Sequence, residues 1–312
     1  MASDSGFVIE TEALCKAYGD IRALDAISLQ VPEGSIFGFL GPNGAGKTTT
    51  IRILMGFTRA TSGRATVFGD DSWQKGVAVR CRVGYLVNAD ALYPDLSGDD
   101  QLAFAANISG REPVWRDRLL DALELDRKVL DRRLGTYSKG MRQKLALVVS
   151  AQHAPDLLMF DEPTDGLDPL IQRNFAGLLR DFRAEGTTVF MSSHDLGEVE
   201  RLCDQVAVVR AGRVIASGSM ESLKRQYSQR VEVTFADAVP GGIDDIVGAS
   251  LVERNGTMVT LHVDHDFNSL LRYLASHDIA RMEIRPPELQ EVFMSYYESE
   301  EQAAEPTAST SR

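Results

Sequence analysis

A glycine-rich segment that ends in Lys47 and Thr48 is the first candidate for chemistry in this sequence. Residues 41–48 read Gly-Pro-Asn-Gly-Ala-Gly-Lys-Thr and match the pattern G-x-x-x-x-G-K-[ST] at every fixed position. Glycines let the backbone wrap around a phosphate with its N–H groups directed inward, and the start of a helix adds positive potential. We expect a nucleotide phosphate site, with Lys47 directed to the β- and γ-phosphates and the Thr48 hydroxyl to Mg²⁺.

Two adjacent carboxylates form the second candidate group. Asp161 and Glu162 follow the apolar run at 157–160, so they stand at the end of a predicted buried strand. Successive strand residues point in opposite directions, so the two acids cannot do the same job. One suits a metal ion, and the other suits a water molecule beside the γ-phosphate, as a candidate general base. Two solvated acids at a strand terminus would be the alternative.

The elements that must position these groups are those of an α/β domain. From residue 7 to about residue 220, short β-branched runs alternate with longer helical patterns, which is typical of a largely parallel sheet. The predicted strands are 35–40, 157–160 and 187–191, and the predicted helices are 47–56, 116–125 and 139–151. Residues from about 90 to 151 are mostly helical in pattern and are expected to form an insert.

The pattern changes beyond about residue 223, which predicts a separate small α+β domain at 226–297. Alternating apolar positions indicate half-buried strands at Val231, Val233 and Phe235 and again at Val259, Leu261 and Val263. Further expected features are a turn at 238–242, a helix capped by Asp266 with Phe267, Leu270, Leu271 and Leu274, and a last helix at 288–297. Residues 298–312 are rich in Glu, Ser, Thr and Ala and predict a disordered acidic tail.

Composition excludes several classes of protein. The 312 residues carry 33 Lys and Arg against 45 Asp and Glu, a formal charge of −12, which is unsuited to coating nucleic acid or lying on an anionic membrane. The three cysteines are scattered and odd in number, so we expect neither a disulfide framework nor a CxxC metal site. We expect the protein to reside in a reducing cytosol. We expect no secretory signal and no membrane span, so a membrane role requires a partner chain.

A third segment brings these motifs together in one family. Residues 137–143 read Tyr-Ser-Lys-Gly-Met-Arg-Gln, with Ser138 standing 23 positions before Asp161. Over about residues 7–225 the chain resembles the ATP-binding subunit of an ABC transporter, whose signature L-S-G-G-Q occupies this place. Ser138 and Gly140 match that signature, whereas Tyr137, Lys139 and Met141 depart from it. The form found here resembles the drug-resistance exporter subgroup of the daunorubicin-resistance type.

The resemblance also implies roles for loops at strand ends. Residues 163–169 resemble the family's D-loop, which would otherwise be an ordinary turn. His194, after the third strand, resembles the switch histidine that contacts the γ-phosphate and orients Glu162. Tyr18 resembles the aromatic residue that stacks on adenine, although a core or hairpin role is an alternative. Asn88 stands where many members have Gln, with a side chain one methylene shorter, and a hinge into the helical insert is its safer role.

The site implied by the resemblance is therefore extensive. Glu162 would activate the water, His194 would stabilise charge, and Thr48 with Asp161 would hold Mg²⁺. The nucleotide-binding residues would be Tyr18, Gly41, Pro42, Asn43, Gly44, Ala45, Gly46, Lys47, Thr48, Thr49, Asn88, Ser138, Gly140 and Asp168. Ser138 and Gly140 would act at the start of a helix on the nucleotide of the opposite cassette.

The fold that the resemblance implies is a P-loop ABC ATPase core, a RecA-like sheet with a helical insert, followed by the small α+β domain. The implied function is an ATPase motor that pairs with an identical or similar cassette on Mg-ATP. It would act at the cytoplasmic side of the membrane, through separate transmembrane permease subunits that meet the insert near residues 88–110. Efflux of a drug or antibiotic is favoured, and no nucleic acid is expected. The alternatives are an importer ATPase and a soluble cassette protein.

Overall fold

The computed structural model describes residues 6–86, 89–225, 228–263 and 267–285. The chain forms two compact units, Met1–Ser219 and Met220–Arg312. The functional domains expected from the sequence, 7–225 and 226–297, stay predictions. Predicted features that lie outside the described residues are Asn88, Asp266, the helix at 288–297 and the tail at 298–312.

Fourteen strands and ten α-helices are found in the described residues, together with short 3₁₀ turns at 89–91, 134–136 and 243–245. The strands are β1 (Phe7–Tyr18), β2 (Ile21–Pro32), β3 (Ile36–Leu40), β4 (Ser62–Val67), β5 (Asp70–Asp71), β6 (Val83–Tyr85), β7 (Leu157–Asp161), β8 (Thr188–Ser193), β9 (Gln205–Arg210), β10 (Arg213–Ser219), β11 (Gln229–Phe235), β12 (Ala249–Asn255), β13 (Met258–Val263) and β14 (Ile279–Arg285). The helices are α1 (Lys47–Leu54), α2 (Gly76–Arg80), α3 (Gly98–Ser109), α4 (Arg116–Ala122), α5 (Arg127–Leu130), α6 (Lys139–Ala151), α7 (Pro169–Ala184), α8 (Leu196–Leu202), α9 (Met220–Arg225) and α10 (Asn268–Leu274).

A six-stranded sheet in the order β10-β9-β3-β8-β7-β6 carries the predicted strands side by side. All neighbours are parallel except β10, which runs antiparallel to β9. Strands β3 and β8 are buried along their whole length, because helices cover both faces of such a sheet. The carboxyl ends of parallel strands meet at one edge, so the segments that follow β3, β7 and β8 come together there.

A four-stranded antiparallel sheet, in the order β2-β1-β4-β5, is a feature that the sequence pattern did not predict. Strands β1 and β2 pair over twelve residues each, but their register shifts at several points. Ala13 and Ala26 adopt positive φ angles of 42° and 55° at these irregularities. Bulges of this kind interrupt the two-residue alternation by which a strand is normally recognised.

The helical insert packs on the core through an aromatic stack. Trp115, at the start of α4, lies against Phe182 of α7 with ring centroids 3.7 Å apart and an interplanar angle of 6°. Helix α4 ends at Ala122 rather than at the predicted residue 125, since Glu124 adopts a positive φ of 50°. None of the described helices has both the length and the apolar character needed to span a membrane.

The second unit is an antiparallel sheet in the order β12-β13-β11-β14, with α10 packed on its apolar face. Val231 pairs with Leu261 and Val233 with Val259, which are the alternating positions expected from the sequence. Phe267 occupies the N-cap position of α10 and makes no side-chain cap. The apolar residues of these strands and of α10 form a core of their own.

Candidate nucleotide site

The loop between β3 and α1 is shaped by glycines that no other residue could replace without strain. Gly46 has a φ of 107°, in the left-handed region that favours glycine. A Cβ atom on Gly41 would lie 2.2 Å from the Val209 carbonyl oxygen. The Gly41 N–H donates to the Ser193 carbonyl at 3.1 Å, which ties the start of the loop to the end of β8.

Lys47 is the buried cation of this loop, with 6% of its surface exposed. Its Nζ donates to the carbonyl oxygens of Gly41 and Pro42 at 2.6 and 3.3 Å. The same Nζ lies 3.1 Å from Glu162 Oε1. A buried charge needs such partners to offset its desolvation, and these contacts hold the ammonium group at the mouth of the loop.

Asp161, the last residue of β7, is held by two hydroxyl groups. The Thr48 hydroxyl donates to Asp161 Oδ2 at 2.7 Å, and the Ser192 hydroxyl donates to Oδ1 at 2.5 Å. A hydroxyl oxygen and a carboxylate oxygen so close together are hard donors of the kind that Mg²⁺ prefers. The residues present therefore fit the magnesium ion that the sequence motif implies.

Glu162 is fixed in an unusual backbone conformation. Its φ is 51°, which is rare outside glycine and asparagine and costs roughly 1–3 kcal/mol when the surroundings enforce it. Its N–H donates to the Ser192 carbonyl at 3.3 Å, and His194 Nδ1 lies 2.8 Å from its Oε2. Lys47 and His194 thus contact different oxygens of the same carboxylate.

A second group of possible metal donors lies beside the first. Ligand atoms of Glu162, Asp165 and His194 all lie within 4.8 Å of one another. This group includes an imidazole nitrogen, whereas Mg²⁺ takes oxygen ligands. The pair formed by Thr48 and Asp161 is therefore the better match for Mg²⁺.

A cavity of about 610 Å³ opens over the loop and gathers residues from both the core and the insert. Its lining consists of Ala23, Pro42, Asn43, Gly44, Gly46, Lys47, Thr48, Thr49, Arg52, Tyr85, Leu86, Ala89, Lys139, Gln143, Asp161, Glu162 and Asp165. Burial raises the pKa of Tyr85, and the Asp161 carboxylate adds to that shift.

Several residues expected at the site lie elsewhere in the first unit. Within the described part of the chain, four of the expected residues do not line the cavity: Tyr18, Ser138, Gly140 and Asp168. Three others contact residues of the lining without belonging to it: Gly41, Ala45 and His194. Tyr18 is 46% exposed at the end of β1, with Lys16 Nζ 4.7 Å from its ring centre. Ser138 and Asp168 cap α6 and α7, accepting from Met141 N at 3.2 Å and Ile171 N at 3.1 Å.

The cavity also contains residues that sequence reasoning did not assign to this site. Arg52 stands four residues after Thr48 on α1, a helical spacing that could have indicated a shared face. Gln143 lies on α6 and donates to the Pro163 carbonyl at 2.9 Å. Lys139 and Asp165 come from segments far from the loop in sequence, and no local pattern marks their approach.

Comparison with known proteins is consistent with this geometry. The ABC transporter family profile matches residues 24–165, and the profile of the DrrA1-3-like ATP-binding protein C-terminal domain matches residues 218–297. The daunorubicin/doxorubicin resistance ATP-binding protein DrrA of Streptomyces peucetius is 39% identical over 72% of this chain and 68% of its own length. The bacitracin transport ATP-binding protein BcrA of Bacillus licheniformis is 34% identical over 74% and 76%.

The chain belongs to the family of ABC transporter ATP-binding proteins. A solved ATP-binding subunit of an ABC transporter shares the fold, with 29% identity and a TM-score of 0.65 over 70% of this chain and 92% of the other. The α/β fold with a P-loop core is therefore confirmed, and this ABC ATPase binds and hydrolyses nucleotide as its family does. The roles of the individual residues named above stay predictions.

Proposed function

We propose that this ABC ATPase is the motor subunit of an exporter that moves drugs or antibiotics through separate transmembrane subunits. The names of its relatives support the substrate class, since they refer to daunorubicin and doxorubicin resistance and to bacitracin transport. The observation that carries the motor function is the Glu162 carboxylate, held 3.1 Å from Lys47 Nζ and 2.8 Å from His194 Nδ1 beside the phosphate loop.

The proposed chemistry is hydrolysis of the terminal phosphoanhydride. Lys47 and the loop N–H groups hold the phosphates, and Glu162 accepts a proton from the attacking water. The water oxygen bonds to the γ-phosphorus while the bond from that phosphorus to the β–γ bridging oxygen breaks, giving ADP and phosphate. His194 holds the Glu162 carboxylate in place through Nδ1.

Thr48 and Asp161 are the residues proposed to hold Mg²⁺. Their oxygens lie 2.7 Å apart at the edge of the cavity. The ion would supply positive charge that neutralises the phosphate oxygens during transfer. Ser192 keeps the Asp161 carboxylate oriented, since its hydroxyl donates to the second oxygen.

A second cassette is proposed to complete each site. Ser138 and Gly140 do not line the nucleotide cavity of their own chain. They stand at the start of α6, a helix of thirteen residues whose N-terminus offers N–H donors to an anion. This placement supports action on nucleotide held by a partner copy.

The permease subunits are proposed to dock on an exposed apolar patch of the helical insert, at the cytoplasmic side of the membrane. Tyr93 and Phe104 pack edge to face with centroids 5.6 Å apart, and they are 53% and 42% exposed. Ile108, one turn further along α3, is 70% exposed. Exposed apolar groups that cluster in this way are typical of protein interaction sites.

The experiment that tests the function uses the complex of this ABC ATPase with its permease subunits in liposomes. Daunorubicin and bacitracin serve as separate probes, with the Glu162→Gln complex as the matched control. We expect ATP added on the cassette side to drive at least one probe across the bilayer, away from the cassettes. Movement toward the cassettes would contradict export, and equal movement with Glu162→Gln would contradict coupling to hydrolysis.

A further inference from the structure

A buried carboxyl group lies beneath the His194 loop and has no part in the chemistry above. Glu198 is on α8 and only 4% exposed. Burial raises its pKa. A buried carboxyl group destabilises a fold unless its oxygens find hydrogen-bond donors, so its retention at this position calls for a physical reason.

Glu198 is hydrogen-bonded to the segment that carries His194, one of the two proposed catalytic side chains. The Ser193 hydroxyl donates to Glu198 Oε2 at 2.5 Å, and Ser193 directly precedes His194. The Thr164 side chain also lowers the pKa of the Glu198 carboxyl and opposes part of the effect of burial. Glu198 Oε1 has no hydrogen-bond partner among the described residues. Thr164 stands two residues after Glu162.

The first turn of α8 is itself fixed to the end of β8. The Glu198 N–H donates to Asp195 Oδ1 at 3.0 Å, which makes Asp195 the cap of the helix. The Asp195 N–H donates to Ser193 Oγ at 3.0 Å. His194 therefore lies within a closed set of hydrogen bonds that runs from Ser193 through Asp195 to Glu198 and back.

We propose that Glu198 is a positioning residue that keeps the His194 imidazole within hydrogen-bond distance of Glu162. It acts through the Ser193 hydroxyl, which directly precedes His194, and it does not line the nucleotide cavity. This inference rests on the proposed function of Glu162 and His194. Without Glu198, the Ser193 hydroxyl loses its acceptor, and the segment that carries His194 can move away from Glu162.

The test follows the His194 imidazole directly by ¹⁵N NMR in the full chain. The chain has five histidines, and the signal lost in His194→Ala assigns the one of interest. We expect Glu198→Ala to move the His194 Nδ1 signal toward that of a solvated histidine. Glu198→Gln keeps an acceptor oxygen and should leave the signal in place, and so should Glu200→Ala, a control on the same helix.

Steady-state kinetics provide the second readout. We expect Glu198→Ala to lower kcat roughly 10- to 100-fold through misplacement of the catalytic groups, with the KM for ATP within about twofold because the Lys47 loop is untouched. Glu198→Gln should restore most of kcat. If Glu198→Ala does not fold, Ser193→Ala removes the same hydrogen bond from the other side and should move the signal in the same direction.

Two results would overturn the inference. One is an unchanged His194 signal and an unchanged kcat in folded Glu198→Ala or Ser193→Ala, and the other is a Glu198→Gln variant that behaves like Glu198→Ala. The NMR readout is independent of turnover. Normal hydrolysis by Glu162→Gln would therefore remove the proposed base, while the His194 signal would still report whether Glu198 fixes the imidazole.

Discussion

Glu162 lies between a lysine and a histidine, and each neighbour constrains a different oxygen of its carboxylate. Lys47 contacts Oε1 and His194 contacts Oε2, and the backbone φ of the residue is 51°. An anion in the phosphate loop would compete with Oε1 for the lysine. That competition would leave Oε1 available to a water molecule, which is the role proposed for a general base.

The Glu162→Gln variant tests that role at the scale of one residue. We expect ATP to bind as before, since the loop and Lys47 are intact, and kcat to fall about 10²- to 10⁴-fold because the amide cannot accept the proton. Nucleotide binding and phosphate release are measured separately. Glu33→Gln, an exposed glutamate outside the cavity, is the control. Turnover near that of the control would exclude Glu162 as the base.

At the scale of elements, three adjacent parallel strands assemble the site. Strands β7, β8 and β3 stand next to one another, and backbone hydrogen bonds join their ends. Gly41 donates to Ser193, and Glu162 donates to Ser192. A displacement of β8 along its axis would therefore move the phosphate loop and Glu162 together with His194.

The stack of Trp115 on Phe182 attaches the helical insert to the core and should contribute to the stability of the first unit. Trp115 is 6% exposed, and its Nε1 donates to Glu185 Oε2 at 3.1 Å. Trp115→Ala should destabilise the first unit by about 3–5 kcal/mol, the usual cost of truncating a buried aromatic residue. Thermal unfolding followed by circular dichroism measures it. Trp73→Ala is the matched control, since Trp73 is 48% exposed, and an equal loss in both variants would contradict the role of the stack.

The exposed apolar patch of the helical insert, formed by Tyr93, Phe104 and Ile108, should be needed for transport but not for ATP hydrolysis. Phe104→Ser with Ile108→Ser should leave the basal ATPase activity of the isolated subunit within about twofold, since both residues are exposed. Binding to the permease subunits and ATP-driven transport in liposomes should fall at least tenfold, as when interface anchors are truncated. Val77→Ser, at an exposed position outside the insert, serves as control. Undiminished transport by the double variant would place the permease contact elsewhere.

For the whole molecule, each nucleotide site is proposed to be built from two chains. Lys47→Ala and Ser138→Arg chains should each be inactive alone. Their mixed dimer retains one site with an intact Lys47 loop from one chain and an intact Ser138 from the other. We expect partial ATPase activity to return on mixing, after differently tagged chains confirm that mixed dimers form. Activity that stays at the level of either variant alone would count against a shared site.

Much of the fold followed from local sequence patterns, and the reasons for the misses are specific. The strands before the phosphate loop, the carboxylate pair and His194 were predicted because apolar runs end at polar groups. Strands β1 and β2 were missed, since the bulges at Ala13 and Ala26 break their alternation. Glu198 was missed too, because its partner Ser193 adds no recognisable signal to the sequence around it.

Short segments of the sequence were enough to establish which chemistry is available: a phosphate loop at 41–48, two carboxylates at a strand end and a family resemblance carried by contiguous motifs. Each of these depends on the order of residues within a short segment. The family resemblance implied that Thr48 would meet Asp161 and that His194 would meet Glu162, but only the folded chain shows those contacts and adds others. Lys47 contacts Glu162 across 115 positions, and Gln143 contacts Pro163 across 20. Such contacts depend on the order of strands in the sheet, and a local pattern contains no information about which strands become neighbours.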